Sequence, residues 1–258
     1  MADEIDTTVA DHVCSITLNR PAKRNALTTA MIADLRAAVE RAAAAPAVRV
    51  IVVRGAGAAF CAGLDLAELA AQRAAGGTVE TDTLEHALEV LERCPQPTLA
   101  AVQGDAIAGG CELALHCDLR VAADNARFAM PLARIGLAVP VALTWKLVET
   151  IGAAATKELL FTGEPIGADA ALGLGLVNRV VAAADLDAAV AALARQVAHN
   201  APLAVRTMKA FVQRAADERR QWRRDDLEEL ERRVRESSDL REGLTAQRER
   251  RAPLFKGA

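Results

Sequence analysis

In Ala106–Asp118, AIAGGCELALHCD, two glycines and a cysteine lead into a carboxylate, Glu112, at the start of a helix-like run. Glycines before a helix leave main-chain N–H groups uncovered at the positive end of its dipole. A glutamate in that first turn either satisfies the dipole or serves as an acid or base beside a bound oxygen. A second loop, GAGAAFCAGLD at 55–65, sets Ala62-Gly63 before Leu64. It begins G-x-G, but Phe60 stands where a dinucleotide fingerprint needs its third glycine, and no acidic residue occupies a ribose-binding place. A nicotinamide site is excluded. The N–H groups of Leu64 and Gly109 could together hold one oxygen, an oxyanion hole, and such a donor lowers a barrier by about 3 kcal/mol. A thioester carbonyl gains from such a site, because its enolate places charge on that oxygen. Glu112 would then move a proton at a carbon beside it. Taken singly, Ala62-Gly63 reads equally as tight packing and Glu112 as a dipole partner. A third loop, RPAKRNAL at 20–27, offers Lys23 and Arg24 to a phosphate, or simply to solvent.

Each loop follows an apolar run and leads toward a helix, the usual place for ligand sites in α/β folds. HVCSITLN alternates into a strand, and VRVIVVRG, QPTLAAVQG and DLRVAA read as further strands. TTAMIADLRAAVERAAAA has helical spacing, with Thr28 or Thr29 as cap and Pro46 closing it. Asp65 caps LAELAAQRA, AAGGT breaks the chain, and TLEHALEVLERC is a second helix before QPTLAAVQG. ALTWKLVETIG and AATKELLFTG read as two helices, followed by a short helix, a turn and a last strand in GADAALGLGLVNRVV. From Asp185 onward the pattern is helical. The expectation is an α/β core over residues 1–195 and a helical region over 196–258 that packs on a partner subunit or folds back on its own core.

Of 258 residues, 52% are hydrophobic and 25% charged, enough for a sizeable core. A net charge of −3 with interleaved signs gives no basic footprint for nucleic acid, and the arginines of ERRQWRRDDLEELERRVRE are matched by acids. Five cysteines (Cys14, Cys61, Cys94, Cys111, Cys117) form no C-x-x-C and mostly sit in apolar runs, which reads as buried thiols in a reducing cytoplasm. The histidines His12, His86, His116 and His199 are not spaced as a metal pair, so no metal is expected. No apolar leader or spanning run is seen, and a cytoplasmic protein with no membrane or nucleic-acid partner is the expectation.

Five segments in order, ITLNRPAKRNAL, AFCAGLDL, AVQGDAIAGGCELALHCDLRVAADNARFAMP, ELLFTGEPIGADAALGLGLVNRVV and REGLTAQRERRAPLFKG, resemble the enoyl-CoA hydratase/isomerase (crotonase) family over nearly the whole chain. The resemblance implies a spiral of strand-strand-helix turns with a C-terminal helical trimerisation region, and a homotrimer or dimer of trimers. It implies an acyl-CoA substrate, with coenzyme A entering as part of that substrate and no separate cofactor. It assigns the oxyanion hole to Leu64 and Gly109, the adenine-lining loop to Ala62, and coenzyme A phosphate contacts to Lys23, Arg24 and Lys256, the last reaching in from a neighbour. Glu112 matches the first of two glutamates that activate water in hydratases.

The second glutamate of that pattern is Leu132 here, after Pro131, and a glycine-rich turn is VPVAL at 139–143. Leu132 moves no proton. Glu112 is then the remaining acid/base, for hydration, double-bond migration or decarboxylation. The alternatives are an acyl-CoA-binding protein with little turnover, or a subunit serving mainly within a larger assembly. Asp105 is a substitute acid or a turn residue, and His116 pairs with Glu112 or packs on its helix. Glu85 and His86 could border an acyl tunnel. Leu132, Pro140 and Trp145 are acyl-pocket candidates.

Overall fold

The computed structural model describes residues 4–74, 82–219 and 225–256. Strands β1 (Ile5–Ala10) and β2 (Val13–Leu18) form a hairpin. Its two-residue turn, Asp11-His12, has positive φ at both positions, the geometry whose twist matches antiparallel strands. Helix α1 (Thr29–Ala44) follows, and the Thr28 side chain accepts from Met31 N. Next come β3 (Val50–Gly55), α2 (Leu66–Ala74), α3 (Asp82–Arg93), β4 (Thr98–Val102), β5 (Asp105–Ile107), α4 (Gly109–His116), β6 (Leu119–Ala123) and β7 (Arg127–Ala129). A 3-10 turn at Pro131–Ile135 precedes α5 (Val141–Thr162). Gly152, at φ 76 and ψ 162, divides α5 into the two helices read from the sequence. After β8 (Ile166–Gly167), α6 (Ala168–Gly173) and β9 (Arg179–Val181), the chain is helical: α7 (Leu186–His199), α8 (Pro202–Arg219), α9 (Asp225–Glu236) and α10 (Ser238–Glu249). The expected AAGGT break lies largely outside the described residues.

The main sheet runs β1-β2-β3-β4-β6-β9, parallel from β2 onward. A smaller sheet runs β5-β7-β8, and Cys61 joins its edge through a bridge to Ala106. Successive turns therefore place one strand in the large sheet, one segment in the small sheet, and then a helix. At the centre of the large sheet both faces are covered, so β3 and β4 are buried along nearly their whole length, while β2 alternates and the edge strand β1 is mostly exposed. Ile51, Val53, Ala100 and Val102 face the core shared with α1, α3, α4 and α5. Val50, Val52, Leu99 and Ala101 face α7 through Leu186, Val190 and Leu193. Residue 195 falls inside α7, whose apolar face is continuous with this sheet.

Helix α8 is tied down by polar contacts: Lys209 Nζ lies 2.8 Å from both Asp118 Oδ2 and the Gln96 carbonyl oxygen. On α9, Arg232 bridges Glu229 and Glu236 at 2.7 and 2.8 Å, in line with a salt-bridged helix. Helix α10 returns to the core, where Leu240 and Leu244 join Leu69 and Leu137. All five cysteines are buried and free. Among the described residues no helix is long and apolar enough to cross a membrane.

Candidate active site

The loop after β3 is fastened by one buried side chain. Asn25 Nδ2 lies 2.9, 2.8 and 3.1 Å from the carbonyl oxygens of Ala56, Ala59 and Phe60, and its Oδ1 accepts from Arg20 N. Asn25 has φ 55, a left-handed conformation that asparagine adopts more readily than most residues. Leu27 and Leu64 then form a parallel bridge: Leu27 N donates to Gly63 O and Asp65 N to Leu27 O, each at 2.8 Å. That pattern uses the amides on either side and leaves the Leu64 N–H outside the ladder. Asp65 closes the loop by accepting from Ala67 N and Glu68 N and by binding Arg20, with its Oδ2 3.2 Å from Arg20 Nη1 and Nη2. Burial alone would raise the Asp65 carboxyl; the Glu68 and Ala67 amides and the Arg20 guanidinium outweigh it and hold it below the usual carboxylate range.

The second loop meets the first at the start of α4. Ala108 precedes the helix at φ 50 and ψ −121, a strained conformation for a residue with a Cβ, and its N–H donates to Ala129 O. Gly110 lies against Cys61, where an added Cβ would sit 2.1 Å from the Cys61 carbonyl oxygen. Gly63, at φ 86, abuts Gly109, and a Cβ on Gly109 would lie 3.6 Å from Leu64 N. The Leu64 and Gly109 amides are thus neighbours, and neither N–H has an acceptor among the described residues. Three residues along α4 is Glu112, 7% exposed. The other end of α4 is held by the buried Arg120, whose Nη1 lies 2.6 Å from the Cys117 carbonyl oxygen and whose Nε lies 2.6 Å from that of Leu176.

A cavity of about 470 Å³ opens here. Of the residues singled out in the sequence, it gathers Arg24, Ala62, Leu64, Gly109, Glu112, Leu132 and Pro140. Its remaining wall is mostly aliphatic, with Leu66, Leu69, Leu84, Ile107, Ile135 and Leu137 among the side chains. Arg24 is exposed and carries no ion pair among the described residues.

Other candidates lie elsewhere. Lys23 is exposed on the Pro21–Lys23 turn and does not line the cavity. Lys256 lines a separate cavity with Arg251 and Glu242, and its N–H donates to Asp239 Oδ1. Trp145 does not line the cavity that holds Glu112. It shares an α5 face with Val141 and Val148 that looks toward Leu230 and Val234 of α9. Asp105 is engaged by Arg127, whose Nε and Nη2 lie 2.8 and 3.0 Å from its two carboxylate oxygens. His116 meets the backbone of Glu112, donating from Nδ1 to the Glu112 carbonyl oxygen at 2.8 Å. Glu85 does line the cavity. Sequence reading missed Asn25 and Ala108: an asparagine inside a basic loop is a weak turn signal, and nothing in an alanine announces a positive φ.

The enoyl-CoA hydratase/isomerase family model matches residues 8–258. The 2,3-dehydroadipyl-CoA hydratase of Escherichia coli is 35% identical over 95% of this chain and 95% of its own. The enoyl-CoA isomerase/hydratase fer4 of Mycosarcoma maydis is 34% identical over 95% of this chain and 93% of its own. A solved methylmalonyl-CoA decarboxylase, in complex with 2-nitronate-propionyl-CoA, superposes with a TM-score of 0.90 at 29% identity, covering 99% of each chain.

Proposed function

Because the chain belongs to the enoyl-CoA hydratase/isomerase family, we propose that it binds an acyl-CoA thioester and transforms it through the thioester enolate. One observation carries this reading: two neighbouring amides without acceptors among the described residues, those of Leu64 and Gly109, border the same cavity as Glu112. The thioester oxygen accepts from both N–H groups, and each such donor is worth about 3 kcal/mol as charge develops on it. Glu112 moves a proton at the carbon beside the carbonyl. The aliphatic wall suits an acyl chain. Arg24 and Ala62 border the mouth, where Arg24 meets a coenzyme A phosphate and Ala62 the adenine, with Lys23 adding charge beside them. Lys256, outside its own chain's cavity, is assigned a phosphate in a neighbouring subunit. The exposed Leu203, Met208, Phe211 and Val212 of α8 suit the subunit contacts of a homotrimer or dimer of trimers.

Leu132 stands where the hydratase pattern has its second glutamate, and it borders the cavity without a proton to give. This favours a second reading, decarboxylation, in which loss of CO2 leaves the enolate without a base. The fold likeness to a methylmalonyl-CoA decarboxylase supports testing it.

The test is a panel of crotonyl-CoA, longer enoyl-CoAs and methylmalonyl-CoA. The enoyl thioesters are expected to lose their conjugated absorbance. Glu112→Gln is expected to abolish this while calorimetry still registers binding. Binding without turnover across the panel would leave an acyl-CoA-binding protein, and absence of binding would remove the reading. Leu132→Glu is expected to raise hydration. An unchanged rate would move the obstacle to Val139–Leu143.

A further inference from the structure

Building on the acyl-CoA reading above, we propose that Glu85 is the second proton-transfer carboxylate of this site, taking the part of the glutamate that Leu132 replaces. Among the described residues, Glu85 and Glu112 are the two carboxylates that border the 470 Å³ cavity. Both also border a second cavity of about 370 Å³, whose wall includes His86, Glu92, His116 and Asp217. Pro140 is the third residue common to the two spaces. The partition between an apolar chamber and a polar one is therefore a pair of carboxylates and a proline ring.

The packing of α3 on α4 sets this up. Leu84 is buried, and its Cδ2 lies 3.1 Å from where a Cβ on Gly109 would be. That contact pins α3 beside the first residue of α4, so the next residue, Glu85, comes to the chamber that Glu112 enters. Arg235 of α9 also borders the 470 Å³ cavity, and its Nη2 lies 3.6 Å from Glu85 Oε1, tethering the carboxylate at the wall. Glu85, Glu89 and Glu92 recur at helical spacing along the polar chamber. There Glu92 is held by Lys146 Nζ at 2.8 Å and His116 Nε2 at 3.6 Å. A polar route thus leads away from the two carboxylates on the side opposite the aliphatic wall.

For an α,β-unsaturated thioester the roles divide between the two groups. Glu85 takes a proton from water as the water oxygen bonds to the β-carbon. The C=C π pair shifts to give the enolate, whose oxygen rests on the Leu64 and Gly109 amides. Protonated Glu112 then forms the new C–H bond at the α-carbon as the enolate collapses. One water has been added, Glu85 has gained the proton that Glu112 lost, and the polar chamber lets that proton return.

The experiment compares the unaltered protein with Glu85→Gln, Glu85→Asp and Glu112→Gln on whichever enoyl-CoA turns over. Glu85→Gln is expected to lower kcat by about 100-fold or more, with KM changed by less than about threefold, and to remove one limb of the pH profile. Glu85→Asp is expected to restore part of kcat and the lost limb. Wild-type kcat and an intact profile in Glu85→Gln would overturn the proposal while leaving Glu112 in place. So would a loss that falls on KM alone, or one that Glu85→Asp does not relieve, since either marks a structural ion pair with Arg235. Absence of turnover by the unaltered protein, with thioester binding retained, would instead overturn the enzymatic reading and this proposal with it.

Discussion

Asn25 ties the turn that carries Arg24 to the loop that carries Leu64, with its side-chain nitrogen 2.8 Å from the Ala59 carbonyl oxygen. The same nitrogen serves the carbonyls of Ala56 and Phe60, and Asn25 is fully buried. Asn25→Ala takes this donor away; the Ala59 oxygen keeps Gln103 Nε2 at 2.7 Å, while the buried Phe60 oxygen loses its side-chain donor. An unsatisfied buried group costs about 1–3 kcal/mol. Urea unfolding is expected to show a loss of that order, and thioester affinity to fall further because the Leu64 amide loses its fixed position. A variant with unchanged midpoint and affinity would deny the staple its role.

Asp65 predicts a response to acid. Its carboxyl is held below the ordinary value of 3.8 in the fold, so at higher pH the unfolded chain and the fold are equally deprotonated and the stabilisation is complete. As pH falls below about 3.8 the unfolded chain takes up the proton first, and stability drops until the folded carboxyl also protonates. Asp65→Asn keeps a capping oxygen but loses the ion pair with Arg20. It is expected to be less stable near neutrality and to lose less between neutrality and acid, read as urea midpoints across that range. Equal slopes for the two proteins would place the acid sensitivity elsewhere.

Much of this architecture is legible in residue types. The branched run of β3 and the glycines opening α4 declare a strand and a helix start, and Thr28 and Asp65 act as the caps their positions suggest. Strand β1 is hidden because IDTTVA is an edge strand, exposed along most of its length, with no apolar face to betray it. Trp145 stands out in an alanine-rich chain, which makes it a candidate for the acyl pocket or for core filling. Among the described residues none of α5 lines the 470 Å³ cavity; Trp145 lies instead toward Leu230 and Val234 of α9, and no local pattern encodes that. Glu85 was legible only as a candidate border of an acyl tunnel, because the place it shares with Glu112 on the cavity wall follows from the packing of Leu84 beside Gly109, residues 25 positions apart. The motifs thus point to Leu64, Gly109 and Glu112, which border one cavity, while Glu85 reaches that cavity through packing that no motif announces.

The thiols predict silence in the fold and a weakness at high pH. Burial pushes Cys61, Cys111 and Cys117 up to about 12 from an ordinary 9.0. Above about pH 9 the unfolded chain releases these protons while the fold retains them, so stability falls as pH rises toward about 12. Urea midpoints are expected to decline through that window. A thiol reagent near neutral pH is expected to leave all five cysteines unlabelled until urea unfolds the chain. Rapid labelling of the native protein would contradict the burial on which both expectations rest.

The adjacent glycines at the head of α4 give a paired test, because their surroundings differ in kind. A Cβ on Gly110 would lie 2.1 Å from the Cys61 carbonyl oxygen and 2.7 Å from its carbonyl carbon. Those are backbone atoms in the bridge to Ala106, so neither side can yield without parting the loop from the helix. A Cβ on Gly109 would first meet Leu84 Cδ2 at 3.1 Å, the far end of a side chain that has another rotamer to take. Gly110→Ala is therefore expected to cost about 3 kcal/mol or more, beyond the usual range for overpacking because backbone must move. Gly109→Ala is expected to cost about 1 kcal/mol or less in stability, because the alanine's helix propensity offsets part of the crowding. Its effect falls on turnover, since the methyl group points at Leu64 N, where the thioester oxygen is read to bind. The measurement is urea unfolding beside steady-state kinetics for both variants. Equal losses of stability, or a Gly109→Ala variant with full turnover, would mean that the two loops do not meet as described.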